Sequence, residues 1–302
     1  MVFRQVLKFM KKILVLGSTG QIGTALKKDL TKWFEVTFLS RNDLDFAGIE
    51  SLSAKLKDLK PDFIINSAAY TNVDQAEEFQ ENAFQVNSLA VEKLSKLANS
   101  IGAVLVHFST DYVFDGKKNT PYSETDTPNP LSIYGKSKLE GEQFVEKNCS
   151  KFLILRTSGV ISKNNDNFVS KIKKLSKTKK ELSVINDQIT AVNFASYISE
   201  ATSRILKKIE DNTENENRWG IYHMSGGESG SWFDFAKYAQ KINALSDPNS
   251  SFSQIKILPV SSIEFNQKAK RPNYSFLTSD KLKNDFGISL PNWEKSISEV
   301  FE

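Results

Sequence analysis

The chain has 302 residues, 39% of them hydrophobic, which suits a nucleotide-binding domain with a smaller companion and excludes a wholly disordered chain. Lys and Arg number 40 against 36 Asp and Glu, a formal charge of +4 that is too balanced for nucleic acid or an anionic membrane to be the main partner but compatible with an anionic small substrate. The single cysteine, Cys149, excludes an internal disulfide and makes a reducing, cytoplasmic setting the default expectation.

The opening residues Met1 to Met10 are cut by Arg4 and Lys8, followed by Lys11 and Lys12, and offer no small-residue cleavage site. They do not read as a signal peptide, and Met10 could itself be the natural start. No later stretch approaches the roughly twenty apolar residues of a membrane span. Apolar runs bounded by turn residues predict strands at Lys12 to Leu16, Glu35 to Leu39, Asp62 to Asn66, Val104 to Ser109 and Phe152 to Thr157. Helical periodicity predicts helices at Gln21 to Lys32, Ile49 to Leu59, Asn87 to Ile101 and Tyr134 to Asn148. This alternation is that of a Rossmann-type, doubly wound α/β sheet, with its ligand crevice at the carboxyl ends of the strands.

Residues 10–166 are therefore expected to form the dinucleotide-binding domain. Residues 167–302 are expected to supply mainly a smaller substrate-binding lobe, some of whose segments return to the first domain. In that part Lys171 to Lys180 reads as a solvated helix face, Asn193 to Ile209 as a helix, and Asp211 to Asn217 as a surface loop.

Directly after the first strand comes Gly17-Ser18-Thr19-Gly20-Gln21-Ile22-Gly23, opening onto a helix. In that context the first glycine permits a tight turn, the second lets backbone approach a pyrophosphate, and the third allows close helix packing. After the second strand, Arg41 precedes Asp43, Asp45 and Phe46. An arginine there can pair with a 2′-phosphate, so NADPH is favoured over NADH. Tyr134 and Lys138 are four apart and share a helix face, which suits an ammonium that favours the phenolate of a proton-transferring tyrosine. Ser109 and Thr110 place hydroxyls at the carboxyl edge of the fourth strand, where they could meet a substrate carbonyl oxygen.

The segments Ala68 to Glu77, Ser109 to Gly116 and Tyr134 to Glu142 resemble the dTDP-4-dehydrorhamnose reductases, a branch of the extended short-chain dehydrogenase/reductases. Later matches are Arg156-Thr157-Ser158, Leu182 to Gln188, Arg271-Pro272 and Leu290 to Trp293. The resemblance implies NADPH-dependent reduction of the C4 ketone of dTDP-4-dehydro-L-rhamnose. It implies that Thr110 orients and polarises the carbonyl, that Tyr134 protonates the developing alkoxide, and that Lys138 holds the ribose and tunes Tyr134. Ala68, Ala69 and Tyr70 would line the cofactor crevice, with Asn87 near the active-site helix. Magnesium is allowed by the resemblance alone, and no metal-spaced carboxylates or histidines stand out. A homodimer is allowed too.

Two segments depart from the family. Gly159 follows Arg-Thr-Ser where the family usually has tryptophan, and Ile189-Thr190-Ala191-Val192 replaces an aromatic, glycine, Ala-Pro run. The sugar pocket is therefore expected to be wider at Gly159 or filled from elsewhere. The alternatives are a reductase or epimerase of another nucleotide sugar, or a non-catalytic NADP-binding regulatory subunit; intact Thr110, Tyr134 and Lys138 argue against the last. His107 and His223 sit in apolar strand-like runs and read as core or rim residues, Cys149 as an ordinary thiol, and Trp33, Trp219, Trp232 and Trp293 as packing residues. Asp74 and Glu77 read as local helix caps or pairs.

Overall fold

The structure, a computed structural model, describes residues 10–43, 50–211 and 218–302. β1 (Lys12–Leu16), α1 (Gln21–Leu30), β2 (Glu35–Leu39), α2 (Glu50–Leu59) and β3 (Phe63–Asn66) open the chain. Then follow α3 (Val73–Glu78), α4 (Gln80–Phe84), a π-helical turn (Gln85–Leu89), α5 (Ala90–Ser100), β4 (Val104–Thr110), α6 (Ile133–Asn148) and β5 (Phe152–Thr157). Every residue of β3 and β4 is buried, as expected of strands covered on both faces.

The second half contributes β6 (Gly159–Ile161), α7 (Phe168–Leu175), β7 (Glu181–Ile185), β8 (Ile189–Thr190), β9 (Val192–Phe194), α8 (Ala195–Asp211) and β10 (Gly220–His223). After them come β11 (Gly230–Ser231), α9 (Trp232–Ser246), α10 (Ser251–Gln254), β12 (Lys256–Val260), α11 (Ser262–Phe265), α12 (Asp280–Phe286) and α13 (Trp293–Ser298). The main sheet has six strands in the order β10-β5-β4-β3-β1-β2, all paired in parallel. Its strand order turns back between β1 and β3, where open α/β sheets leave a crevice beyond the strand ends.

One apolar layer joins the sheet to α1, α8 and α12 through Leu26, Leu30, Ile198, Ile205 and Phe286. The other joins it to α2, α5 and α6 through Leu52, Leu56, Leu94 and Val145. The buried Asp29 carboxylate accepts from Ser199 Oγ at 2.7 Å and so pins α1 to α8. A separate core around Val169, Leu182, Phe235, Phe252 and Ile257 holds α7, α9 and the parallel pair of β7 with β12.

Two local readings change and one is extended. The fifth helix begins as a π-turn ahead of α5, which places Asn87 inside a wide turn rather than at a helix start. The strand-like run at His223 becomes β10 and extends the main sheet beside β5. Trp33 is not a packing residue: its side chain is 53% exposed, with Lys207 Nζ 6.0 Å from its ring. Residues 212–217 of the expected surface loop lie outside the described residues, as does Ile49.

Candidate active site at the strand ends

The glycine turn is held in place by close approach. Gly17 has φ +79, a left-handed conformation that costs glycine little, and a Cβ on Gly23 would stand 2.1 Å from the Gly17 carbonyl oxygen. Gly20 is different: a Cβ there would meet only Gly17 O at 3.5 Å, an ordinary contact. The protein's own packing does not demand glycine at 20, whereas a ligand phosphate lying on the start of α1 would.

A crevice of about 960 Å³ opens beside this turn, with Gly17, Thr19, Gly20, Gln21 and Ile22 on one wall. Ala68, Ala69 and Tyr70 line it from the end of β3, and Arg41 from the end of β2. Gly23 is buried in α1 and acts on the shape of the turn. The side chain of Asp43 is taken up locally, since Ser40 donates to Asp43 Oδ2 from its backbone N at 2.8 Å and its Oγ at 2.6 Å. These hydrogen bonds hold the Asp43 carboxyl below its ordinary pKa. Arg41 thus faces the crevice without that carboxylate as a competitor for a ribose. Asp45 and Phe46 lie outside the described residues.

Asn87 does not line the crevice wall directly. It is buried, accepts from Tyr70 N at 2.8 Å, and donates to Tyr70 O at 3.0 Å and to Ser137 Oγ at 3.0 Å. It therefore fixes the Tyr70 backbone against α6. The π-turn that carries it is a device often found where a helix must place one side chain inward.

At the head of α6, Ser132 caps Gly135 N at 3.1 Å, and Glu77 Oε1 accepts from Ile133 N at 2.9 Å. Asp74 forms a two-pronged pair with Arg271, at 3.0 and 2.8 Å. Both carboxylates thus reach well beyond their own helix, which corrects the local reading of Asp74 and Glu77. Tyr134 stacks edge-on to Tyr112 at 6.0 Å. Burial pushes the Tyr134 phenol up to about 12, the Thr110 hydroxyl beside it lowers it, and the charge of Asp111 raises it.

Lys138 is buried too; desolvation pulls it down to about 8, against the opposing charge of Glu142. Its Nζ donates to Phe108 O at 2.6 Å and lies 3.2 Å from His107 Nε2. Burial is the largest cause of the shift in both groups. A neutral phenol is accordingly kept loaded with its proton at neutral pH.

Asp111 is the member of the site that single-residue reasoning passed over. It is buried at the end of β4, and three hydroxyls donate to it: Ser275 at 2.5 Å, Thr190 at 3.0 Å and Thr110 at 3.1 Å. Burial raises its pKa to about 6 in spite of those bonds. Thr110 has one hydroxyl proton, and here it points at Asp111, while Thr110 Oγ1 accepts from Tyr112 N at 3.2 Å. Ser109 Oγ is buried without a hydrogen-bond partner, so only one of the two neighbouring hydroxyls is wired into this cluster.

The space beside Gly159 is occupied. A Cβ there would lie 3.1 Å from Trp232 Cη2 and 3.1 Å from Val192 Cγ1. The Trp232 indole in turn packs against Phe168, with ring centroids 4.8 Å apart. A ring from α9 thus fills space beside Gly159. Magnesium finds no support: among the described residues no three His, Cys, Asp or Glu side chains cluster in a way that could hold a metal. No helix among them is long and apolar enough to cross a membrane.

The comparisons agree over the whole length. The chain is 40% identical over 285 residues to a dTDP-4-dehydrorhamnose reductase of Sinorhizobium fredii, covering 94% of this chain and 95% of the relative. A Salmonella typhimurium protein of the same name is 35% identical, covering 95% and 96%. The crystal structure of a Bacillus anthracis dTDP-4-dehydrorhamnose reductase in complex with NADP superposes with a TM-score of 0.85 at 33% identity, covering 97% of this chain and 99% of that one. The family model described as the RmlD substrate binding domain matches residues 10–302, and the chain belongs to that family.

Proposed function

We propose that this protein reduces the C4 ketone of dTDP-4-dehydro-L-rhamnose with NADPH, giving dTDP-L-rhamnose. The observation that carries the proposal is that Tyr134 lies against Thr110 at the end of β4, with Lys138 one turn further along α6, while the glycine turn opens a crevice at the ends of the neighbouring strands β1 to β3. Thr19, Gly20, Gln21 and Ile22 at the start of α1 suit a pyrophosphate, and Arg41 suits a 2′-phosphate. NADPH, when bound, supplies the hydride.

The chain's own part is to place the ketone and deliver a proton. As negative charge develops on the carbonyl oxygen, the Tyr134 phenol donates to it, because an alkoxide is a far stronger base than a phenolate. Thr110 orients the oxygen from the neighbouring strand end. Its proton is free for that task only when it turns away from Asp111, which happens when Asp111 is itself protonated and donates to Thr110. Lys138 holds the ribose hydroxyls from α6, and Asn87 keeps the Tyr70 loop at the right distance. Trp232 beside Gly159 favours a second reading, in which another nucleotide sugar is the better substrate. Incubating the protein with dTDP-4-dehydro-L-rhamnose and each reduced cofactor, following nicotinamide absorbance and identifying the product sugar, tests both. Oxidation of NADPH with dTDP-L-rhamnose as product is the expected result; no oxidation with this sugar nucleotide would refute the proposal.

A further inference from the structure

His107 joins two features that the reaction needs but that lie on different elements. Parallel pairing sets Asn66 of β3 directly beside His107 of β4, on the face that α6 covers. Asn66 Nδ2 is 3.1 Å from His107 Nδ1, and His107 Nε2 is 3.2 Å from Lys138 Nζ. Beyond Asn66 the chain of contacts continues, since Asn66 Oδ1 accepts from Ala68 N at 3.2 Å, and Ala68 lines the cofactor crevice. Asn66 and His107 are fully buried and Lys138 almost so, so water cannot stand in for any partner.

We propose that His107 is a positioning residue which, through Asn66 on one ring nitrogen and Lys138 on the other, ties the protonation of the Lys138 amine to the crevice backbone at Ala68. The inference rests on the reading of Lys138 as the lysine that holds the ribose. It follows from counting protons. A backbone N–H only donates, so Ala68 N fixes Asn66 Oδ1 as its acceptor and leaves Asn66 Nδ2, a donor, facing the ring. His107 Nδ1 must then accept, and the ring proton sits on Nε2, pointing at Lys138. Only a neutral amine can accept it. When Lys138 is an ammonium, Nε2 must accept instead, the ring proton moves to Nδ1, and the Asn66 amide must turn its oxygen to the ring. That turn removes the acceptor from Ala68 N.

Burial keeps the His107 ring neutral, with its pKa pulled well below the ordinary value, so the ring changes tautomer rather than charge. Lys138, at about 8, changes charge within reach of neutral pH. The charged group that acts on it is Glu142, one turn along α6, which pairs with Arg156 of β5 at 2.6 Å; Glu146 faces that pair in turn, and Tyr134 stands one turn before Lys138 on the same helix. Glu142 acts on Lys138 through its charge while its oxygens are taken up by Arg156, which leaves His107 as the hydrogen-bonding side chain whose state follows that of Lys138.

The chain contains only two histidines, so nitrogen NMR of histidine-labelled protein reads the tautomers without crowding. His223 Nδ1 faces the Tyr122 carbonyl at 3.1 Å, must donate to it, and serves as an internal reference that stays in the Nδ1–H form. His107 should pass from Nδ1–H to Nε2–H as pH rises through about 8, and in Lys138→Met should show Nε2–H at every pH. NADPH affinity, read by fluorescence, should fall over the same pH range in the parent. In His107→Phe the neutral amine has lost its donor and the ammonium its ring acceptor, and the Asn66 amide no longer has to turn, so the fall should leave the parental pH. A His107 tautomer that is the same from pH 6 to 10, or a His107→Phe protein whose fall in affinity stays at the parental pH, would overturn the proposal. If Lys138→Met binds NADPH as tightly as the parent, the reading of Lys138 fails instead, and the inference loses its premise.

Discussion

Replacing Asp111 by Asn separates what the buried carboxylate costs the fold from what it does for the site. Its pKa is raised from 3.8 to about 6, first by burial, with the hydrogen bonds from Ser275, Thr190 and Thr110 opposing. The folded state therefore binds the proton more tightly than the unfolded chain does. The associated cost is absent below the unfolded pKa, grows as pH rises through the interval, and is complete above the folded one. The rise corresponds to about 3 kcal/mol. Asn cannot ionise, so Asp111→Asn should be more stable than the parent by up to about 3 kcal/mol at pH 8 and close to it at pH 4. Ser275 at 2.5 Å and Thr190 both donate to the same oxygen, which keeps the amide oxygen there and turns the amide nitrogen to Thr110. Thr110 then accepts and its own proton is released toward the crevice, as with a protonated Asp111. Turnover should stay within roughly tenfold of the parent, whereas Asp111→Ala, which leaves three hydroxyls without their acceptor, should lose more than that and be less stable at pH 4. Urea unfolding at the two pH values, with steady-state reduction of the sugar alongside, gives both quantities. An Asn variant that differs from the parent equally at pH 4 and pH 8, or is the less stable at pH 8, would refute the reasoning.

Tyr134→Phe should lower turnover about 10²- to 10⁴-fold while NADPH affinity changes little, measured by stopped-flow and by fluorescence titration; near-parental turnover would remove the phenol from the mechanism. Arg41→Ala should weaken NADPH binding roughly ten- to a hundredfold and leave NADH unchanged, as isothermal titration with each cofactor will read. Gly23→Ala places a Cβ 2.1 Å from Gly17 O, so the turn must open; a loss of about 1–3 kcal/mol in unfolding free energy and weaker cofactor binding are expected.

The central sheet is legible in the sequence because strands covered on both faces need unbroken apolar runs, as in Ile13 to Leu16 and Val104 to Val106. β10 is harder: four residues following a polar stretch carry too little pattern to announce a sixth sheet strand. Gly17, Gly20, Tyr134 and Lys138 are visible because their chemistry depends on spacing along one element. Asp111 is not, because Thr190 and Ser275 lie 79 and 164 residues further along the chain. A fair signal existed at Asn66, a polar residue closing the apolar run Phe63-Ile64-Ile65. A buried amide demands partners, and its partner proves to be His107.

The distribution of these partners says how the site is completed. Tyr134, Lys138 and Thr110 stand on α6 and β4, elements that the first half of the chain builds alone. The Asp111 carboxylate beside them is satisfied by Thr190 of β8 and by Ser275, both from the second half, and Arg271 reaches back to Asp74 of α3. An unsatisfied carboxylate in that position would be too costly to keep ionised and buried. The first half thus supplies the walls of the crevice, whereas the hydrogen bonding of the carboxylate beside Thr110 depends on residues of the second half. The second half also brings Trp232 against Gly159, where the sequence departs from its family, so under the proposed function the same part of the chain that satisfies Asp111 would bear on the choice of sugar.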